Sequence, residues 1–327
     1  MNILITGGCG FIGSNFLHHM VKKYSNCKFT VIDKISYCSS IKNLTEIIDK
    51  IHFYPIDLCN IKELESVFKI EKITHVVHFA AETHVDNSFR NRIEFVNNNI
   101  SSTQNLMEMI MKYPVEKFIH VSTDEVYGTT NEKVNEKVYY NPSNPYAMSK
   151  VCCEYVVKNY LHLYKLPIII TRGNNVYGPR QYIEKLIPKF IIRSKLQMEL
   201  PIHGDGSETR NYLYVQDAVE AFEIILFKGE IGIVYNIGNE IEYSNLEIAK
   251  KICDEFKLPY QKIIHVENRK INDKRYLIDS TSLHDLGWKP KINLEDGLKL
   301  TIEWYKNINE KDYWENFENA IKAFPKY

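Results

Sequence analysis

The sequence has no excess of charge of either sign and no long apolar run. Its 327 residues include 41 Lys and Arg against 41 Asp and Glu, so the formal net charge is zero. Proteins that bind nucleic acids or membrane surfaces by bulk charge carry a basic excess or a one-sided charged tract. A membrane-spanning helix needs about 18 or more apolar residues in a row, and no segment approaches that length. We therefore expect no nucleic-acid partner and no membrane partner.

The chain also lacks diagnostic cysteine patterns, and its first residues do not predict a signal peptide. Its seven cysteines form an odd set with no C-x-x-C pair and no Cys/His spacing of a zinc site. We therefore expect neither a disulfide framework nor a bound metal. The apolar run at residues 3–6 is short and follows no basic leader, so it does not predict a signal peptide, and we expect a cytoplasmic protein.

Short apolar runs alternate with helical patterns in the first half of the chain. Strands are predicted at residues 3–6, 29–33, 51–56, 76–81, 118–122 and 168–172, and helices at 11–23, 44–50, 97–111 and 146–164. This alternation predicts an α/β fold of the Rossmann type, a doubly wound parallel sheet with helices on both faces. After Gly173 the elements are shorter and richer in proline, which indicates a smaller C-terminal α/β domain. We place the boundary between residues 1–172 and 173–327, with some later segments returning to the sheet.

A glycine motif opens the first predicted helix. Gly7, Gly10 and Gly13 directly follow the strand at residues 3–6. Glycines in this arrangement allow a tight turn, a close approach of backbone to a pyrophosphate, and close packing of the helix on the strand. A lone glycine triplet is weak evidence, but a position between a strand and a helix is the one that dinucleotide binding requires.

Asp33 indicates which dinucleotide is bound. It stands 20 residues beyond Gly13 at the end of the next predicted strand, where a carboxylate accepts hydrogen bonds from both adenosine ribose hydroxyls. Because a carboxylate repels a 2′-phosphate, the sequence predicts NAD rather than NADP, although Lys34 is adjacent. Asp57 and Leu58, after the following strand, are placed to meet the adenine edge, and the alternative for Asp57 is a helix cap.

A tyrosine and a lysine share one face of a predicted helix. Tyr146 and Lys150 are four residues apart at its start. The lysine ammonium and a nearby nicotinamide cation both favour the phenolate, which makes Tyr146 a candidate base. Combined with the glycine motif, this pair resembles the extended short-chain dehydrogenase/reductase superfamily, in which the tyrosine is the catalytic base.

Two adjacent carboxyls follow the strand at residues 118–122. The stretch reads Thr123, Asp124, Glu125, and we expect it to face the cofactor cleft. Adjacent carboxylates repel each other, so one can stay protonated as an acid while the other acts as a base. An acid and a base beside a hydride acceptor suit the elimination of water from an oxidised sugar. The alternative is a solvated turn without a chemical role.

Together these residues resemble the NAD-dependent nucleotide-sugar 4,6-dehydratases of that superfamily, and the similarity runs almost from end to end. Further motifs that carry it lie at residues 78–88, 171–179, 184–188, 201–206, 210–214 and 235–238. Residues 171–179 and 266–276 are most similar to the UDP-glucose 4,6-dehydratase half of plant-type rhamnose synthases. The resemblance therefore favours UDP-glucose over dTDP-glucose as the substrate.

The resemblance implies conversion of UDP-glucose to UDP-4-keto-6-deoxyglucose, in the synthesis of UDP-rhamnose or a related deoxysugar. Tyr146 takes the proton of the 4-hydroxyl while hydride passes from C4 to NAD, and Thr123 hydrogen-bonds the same oxygen. Glu125 removes the C5 proton while Asp124 protonates the departing 6-hydroxyl, and hydride returns to C6. Lys150 lowers the pKa of the tyrosine and binds the nicotinamide ribose.

Binding residues carry over from the family by matching position. The implied cofactor contacts are Gly7, Gly10, Phe11, Ile12, Gly13, Asp33, Lys34, Asp57, Leu58, Ala80, Ala81, Asn98, Tyr146, Lys150 and Val176. The implied substrate contacts are Thr83, Thr123, Asn175, Lys185, Leu186, Pro201, His203, Arg210, Asn236, Arg269 and Asn272. With the change in texture after Gly173, we expect residues 1–172 to form the NAD-binding domain and residues 173–327 to form mainly the substrate-binding domain.

The resemblance also implies partners: a homodimer paired through the helices near residues 97–111 and 149–164, and a separate downstream epimerase/reductase. Two rival functions would require different residues from those of a 4,6-dehydratase. An epimerase or decarboxylase of the same superfamily has no need of the Asp124–Glu125 pair for hydride removal and return. A non-catalytic NAD-sensing regulator typically lacks Tyr146 or Lys150, and both are present here.

Overall fold

The computed structural model describes residues 1–268 and 273–324. Its strands are β1 (Asn2–Thr6), β2 (Lys28–Ile32), β3 (His52–Tyr54), β4 (His75–His78), β5 (Lys117–Thr123), β6 (Ile168–Gly173), β7 (Asn175–Tyr177), β8 (Leu200–His203), β9 (Thr209–Tyr214), β10 (Val234–Ile237), β11 (Glu242–Ser244) and β12 (Ile263–Val266). Seven of these form one parallel sheet in the order β10-β6-β5-β4-β1-β2-β3. The predicted α/β fold of Rossmann type is confirmed.

Helices cover both faces of this sheet. They are α1 (Phe11–Lys23), α2 (Ile61–Glu71), α3 (Val85–Arg90), α4 (Arg92–Val96), α5 (Ser102–Lys112), α6 (Pro145–Tyr164), α7 (Leu186–Lys195), α8 (Val215–Lys228), α9 (Asn245–Phe256), α10 (Thr281–His284), α11 (Leu294–Asn307), α12 (Glu310–Tyr313) and α13 (Phe317–Ala320). Short 3₁₀ segments lie at Ile41–Lys50, Asp124–Tyr127 and Tyr260–Lys262, and a π turn at Asn97–Ser101.

The core consists of apolar layers on the two sides of the sheet. On one side Phe16 of α1 and Phe222 of α8 pack against each other with ring centroids 6.4 Å apart. On the other side Leu64, Leu106 and Val157 bring α2, α5 and α6 together. Burial on both faces explains why the strands are near-continuous apolar runs instead of alternating ones.

Beyond β6 the chain builds the smaller part of the molecule. Strands β11, β9 and β7 form one small sheet, and β12 with β8 forms another. β10 belongs to the same half of the sequence but pairs in parallel with β6 at the edge of the large sheet. No helix within residues 1–268 and 273–324 has the length and apolar character that a bilayer crossing requires.

Three local predictions differ from the structure. The strand predicted at residues 76–81 ends at His78, because Phe79 and Ala80 leave the sheet and hydrogen-bond Thr6 through their N–H groups. The helix predicted at residues 44–50 is the second part of a longer 3₁₀ segment. Helix α2 was not predicted, although Asn60 caps it through its side chain and buried Leu64, Val67 and Phe68 give it helical spacing.

Candidate active site

A cavity of about 320 Å³ opens at the carboxyl ends of the central strands, where the strand order reverses between β1 and β4. Ligands of doubly wound sheets bind at such a reversal. All of the predicted cofactor contacts line this cavity, namely Gly7, Gly10, Phe11, Ile12, Gly13, Asp33, Lys34, Asp57, Leu58, Ala80, Ala81, Asn98, Tyr146, Lys150 and Val176. The structure therefore brings together a set of residues that spans 170 positions of the sequence.

The glycine motif leaves room for backbone and ligand only because it lacks side chains. Gly7 has φ +70°, and a Cβ there would stand 2.7 Å from the Ala80 nitrogen. A Cβ on Gly13 would stand 2.3 Å from the Gly7 carbonyl oxygen. Gly10 caps α1 without a side-chain hydrogen bond, so the first N–H groups of the helix face the cavity for an anionic ligand. This cradle fits the pyrophosphate of a dinucleotide.

Asp33 is fixed by backbone and side-chain donors. Its carboxyl oxygens accept from Cys9 N–H at 2.9 Å and Ile35 N–H at 2.7 Å, and from the Ser39 hydroxyl at 3.4 Å. Burial raises the pKa of Asp33, and these donors oppose that shift. A carboxyl held this way beside the cavity fits a ribose with free hydroxyls.

Lys34 does not offer a free cation for a 2′-phosphate. Its Nζ lies 3.6 Å from a carboxyl oxygen of Glu82 and 3.9 Å from one of Asp57. Glu82 also accepts a hydrogen bond from Asn98 at 3.0 Å. Because two carboxyls face this ammonium, the residues present fit NAD better than NADP.

The two carboxyls predicted to be catalytic lie on the 3₁₀ turn that follows β5. The Thr123 hydroxyl donates to Asp124 Oδ1 and accepts from Glu125 N–H, both at 3.2 Å. Asp124 Oδ2 accepts from the Asn174 amide at 2.8 Å. Asp124 is 2% exposed, and this burial raises its pKa to about 7. It is therefore substantially protonated at neutral pH, as a general acid must be.

Asn144 connects Glu125 to the helix that carries Tyr146. Its Oδ1 caps α6 by accepting from Ala147 N–H, and its Nδ2 donates to Glu125 Oε2, both at 2.9 Å. Burial raises the pKa of Glu125, while Asn144, Lys185 and other donors and cations oppose the shift. One side chain thus fixes the candidate C5 base relative to the start of the tyrosine helix.

Tyr146 and Lys150 lie in the cavity, but the electrostatics differ from the prediction. Burial raises the pKa of Tyr146, and Glu125 raises it further. The Lys150 ammonium is itself buried, which lowers its pKa, and it donates to the Val121 carbonyl at 2.7 Å. Burial and a neighbouring carboxyl therefore favour the neutral phenol of Tyr146 in the protein without its ligands, and the role of Lys150 in lowering its pKa beside a nicotinamide cation stays a prediction.

A second cavity of about 190 Å³ adjoins the first. Glu125, Asn175 and Lys185 line both cavities. Of the predicted substrate contacts, Thr83 and Thr123 line the first cavity. Those that line the second are Asn175, Lys185, Leu186, Pro201, His203 and Arg210. Arg269 and Asn272 lie outside the described residues.

Asn236 is the one described substrate prediction that the structure contradicts. Its side chain is fully buried, accepts from the Tyr127 hydroxyl at 2.8 Å and donates to the Asp279 carbonyl at 3.0 Å. It lines neither cavity. Its hydrogen bonds are used inside the protein, so it supports the turn that follows Asp124 and Glu125 instead of a ligand.

Sequence reasoning missed several residues of the site. Asn99 lies in the π turn, accepts from Glu82 N–H at 2.7 Å and donates to the Ser149 hydroxyl at 2.9 Å. Helical π turns are frequent at functional sites, and three consecutive asparagines within a helical pattern were a usable signal. The other missed residues of the cavity walls include Glu82, Ser122, Asn174, Gln181, Tyr182 and Glu184.

Within residues 1–268 and 273–324 no group of three or more His, Cys, Asp or Glu side chains is placed to hold a metal ion. All seven cysteines are free thiols.

Comparison with known proteins gives consistent matches. The family model described as GDP-mannose 4,6 dehydratase matches residues 4–301. The dTDP-D-glucose 4,6-dehydratase of Dictyostelium discoideum is 44% identical over 96% of this chain and 83% of its own length. The crystal structure of dTDP-glucose 4,6-dehydratase from Bacillus anthracis in complex with NAD is 35% identical, with a TM-score of 0.89 over 98% of this chain and 100% of that one.

A plant relative matches equally well in sequence. The trifunctional UDP-glucose 4,6-dehydratase/UDP-4-keto-6-deoxy-D-glucose 3,5-epimerase/UDP-4-keto-L-rhamnose-reductase of Arabidopsis thaliana is 44% identical over 99% of this chain. The chain spans 50% of the length of that relative.

Proposed function

The chain belongs to the GDP-mannose 4,6-dehydratase family, and we propose that within this family it is a UDP-glucose 4,6-dehydratase. Membership confirms the resemblance to NAD-dependent nucleotide-sugar 4,6-dehydratases, and NAD is the cofactor. The observation that carries the reaction is the buried Thr123-Asp124-Glu125 turn beside Tyr146 in the cofactor cavity. An epimerase only removes a hydride and returns it, so it needs neither this acid nor this base.

The first step concerns the 4-hydroxyl of the sugar. When bound, NAD supplies the hydride acceptor for C4 and the hydride donor for C6. Tyr146 accepts the hydroxyl proton, and Thr123 hydrogen-bonds the same oxygen. Because burial and Glu125 raise the pKa of Tyr146, its deprotonation requires positive charge close by, from Lys150 and from the oxidised cofactor together.

The second step is the loss of water across C5 and C6. A ketone at C4 acidifies the C5 hydrogen, which Glu125 removes as a proton. Asp124 protonates the departing 6-hydroxyl. Because its pKa is raised to about 7, part of the Asp124 carboxyl carries that proton at neutral pH. Glu125 returns a proton to C5 when C6 is reduced. Each carboxyl has its own amide donor, Asn144 for Glu125 and Asn174 for Asp124, so the two carboxyls stay in different positions for their different roles.

The diphosphate is assigned to the second cavity. Lys185 and Arg210 line it, and the Arg210 guanidinium lies 4.9 Å from the centroid of the Tyr276 ring. A guanidinium positioned over a ring suits two-pronged binding of phosphate oxygens. Pro201 and His203 line the remainder, where we place the nucleoside.

The preference for uridine rests on residues 171–179 and 266–276, which resemble the plant-type enzymes. A thymidine substrate is the second candidate, favoured by the equal identity to the Dictyostelium enzyme. Incubation with UDP-glucose and dTDP-glucose separately, followed by mass spectrometry, tests both. We expect loss of one water from UDP-glucose at the higher kcat/KM; loss from neither would overturn the dehydratase proposal.

The role of Glu125 is tested by Glu125→Gln. We expect product formation to slow by about 10²–10⁴-fold, the usual contribution of a general base. NADH should not accumulate with the wild-type protein, because hydride is returned in each turnover. A variant with the wild-type rate, or steady growth of absorbance at the NADH band, would contradict the assigned mechanism.

We also propose that residues 1–172 mainly bind NAD, that residues 173–327 mainly bind substrate, and that the protein is a homodimer. Exposed Met148, Tyr155 and Leu163 lie along α6, which packs against α5. Double substitution Tyr155→Glu with Leu163→Glu should yield monomers by sedimentation velocity. A separate epimerase/reductase would complete the pathway, since the Arabidopsis relative is named for those activities as well.

A further inference from the structure

Residues 310–324, here called the C-terminal strap, run from the cofactor side of the molecule to the second cavity. At the cofactor side the Tyr313 hydroxyl donates to Asn43 Oδ1 at 2.7 Å, and the Ser40 hydroxyl donates to the Tyr313 carbonyl at 3.2 Å. Between the two ends, the Trp314 ring packs edge-on against Tyr182, which lines the first cavity, at 6.0 Å. The strap is therefore anchored beside both cavities.

At the far end, three consecutive carbonyls of the strap each accept from a basic side chain. The Arg193 guanidinium donates to the carbonyl of residue 321 at 2.7 Å, and the Lys189 ammonium to that of residue 322 at 3.0 Å. The His203 Nε2 lies 3.1 Å from the carbonyl oxygen of Ala323. The Phe324 ring then packs on the His203 imidazole, with centroids 4.8 Å apart. The contacts come from α7 and β8, two elements that wall the second cavity.

Three of these residues are themselves part of the cavity wall. Lys189, His203 and Ala323 all line it, and Lys189 is buried. The carbonyl of residue 322 accepts from this ammonium, and the imidazole contacts the Ala323 carbonyl and the Phe324 ring. The strap therefore adds Ala323 to the cavity wall and contacts two other residues of that wall, Lys189 and His203.

We propose that the C-terminal strap forms one wall of the nucleoside subsite, with Ala323 in contact with the nucleoside and Phe324 holding His203 against it. The ligand class is the base and ribose of a nucleoside diphosphate. This inference rests on the proposed function, because it places the nucleotide part of the substrate in the second cavity. It adds a determinant that no motif of the sequence indicated.

The test measures binding of UDP, inorganic pyrophosphate and NAD by titration calorimetry. In Phe324→Ala the ring contact with His203 is lost, and we expect the Kd of UDP to rise about 3- to 10-fold. In Ala323→Leu the added side chain enters the cavity, and the Kd should rise at least about tenfold. Binding of NAD and pyrophosphate should stay within about twofold of wild type in both.

Phe227→Ala is the matched control. Phe227 is 42% exposed against 43% for Phe324, and its ring packs on one aromatic partner, Tyr24, at 5.0 Å. It should bind UDP like wild type. Wild-type affinity for UDP in both strap variants would overturn the strap proposal while leaving the proposed function intact. Failure of the wild-type protein to bind UDP or dTDP at all would instead overturn the placement of the nucleotide on which the proposal rests.

Discussion

The two adjoining cavities are built in different ways. The cofactor cavity is made largely of strand ends and turns, where Gly7 and Gly13 let backbone pass within contact distance of backbone. The second cavity is made of side chains from α7, β8, β9, the segment around Tyr276 and the C-terminal strap. All fifteen predicted cofactor contacts line the first cavity, while the substrate set lost Asn236. The backbone geometry of a turn is encoded by neighbouring residues. A wall of side chains from elements far apart in sequence is not encoded in that way.

The largest expected effect separates chemistry from cofactor binding. Asp124→Asn removes the proposed acid for the 6-hydroxyl, and kcat should fall by about 10²–10⁴-fold. The Kd of NAD should not change, because the glycine cradle is untouched. Steady-state kinetics and a fluorescence titration of NADH measure the two quantities. Asp49→Asn, an exposed position of the 3₁₀ segment Ile41–Lys50, is the control and should keep both at wild-type values. A large loss of NAD affinity in Asp124→Asn would show that the two functions are not separate.

The second largest effect is expected at the glycine turn of the cofactor cavity. In Gly13→Ala the new Cβ overlaps the Gly7 carbonyl, which cannot move without shifting the turn, and we expect the Kd of NAD to rise roughly 10- to 100-fold. Gly287→Ala is the control, since Gly287 also has positive φ, +96°, but no atom lies near its Cβ position. It should lower stability without changing the Kd of NAD. Equal NAD affinity in Gly13→Ala and wild type would contradict the close backbone approach.

A smaller effect is expected at Asn236, the residue that the structure moves from ligand binding to support. Asn236→Ala leaves the Tyr127 hydroxyl and the Asp279 carbonyl without this partner, at a cost of about 1–3 kcal/mol in the free energy of unfolding. Urea denaturation measures that cost. KM for the nucleotide sugar should stay within about twofold of wild type at saturating NAD. An increase in KM with unchanged stability would restore Asn236 to the substrate site.

The smallest effect is a pH dependence of stability from Asp124. Its folded pKa of about 7 lies above the ordinary value of 3.8, so the folded chain binds more protons between these values and loses stability as pH rises through them. Asp124→Asn cannot ionise and should unfold at a higher temperature than wild type, by at least about 3 °C at pH 8. The difference should shrink towards pH 4. Thermal unfolding at both pH values checks it, and a gap that widens at low pH would contradict the raised pKa.

Much of the fold could be predicted because each element carries its own signal. The glycines, Asp33 and the Tyr146–Lys150 pair stand at spacings that a single strand, turn or helix imposes. Helix α2 had its cap and spacing in the sequence too, and was missed. The end of β4 at His78 had no such signal. It depends on the backbone of Phe79 and Ala80, which leaves the sheet and passes close to Gly7. Asn144 likewise belongs to the site only because its side chain, at the start of α6, hydrogen-bonds Glu125 on the turn after β5.

The sequence by itself determined the fold class, the glycine turn of the cofactor cavity and the adjacency of Asp124 and Glu125, because neighbours in the chain remain neighbours in a strand, a turn or a helix. Tertiary structure alone decided the protonation of Asp124 and the raised pKa of Tyr146, because burial depends on what the rest of the chain places around them. It also decided that Asn236 turns inward and that the strap reaches His203. These are contacts between residues far apart in sequence, and only packing brings them together.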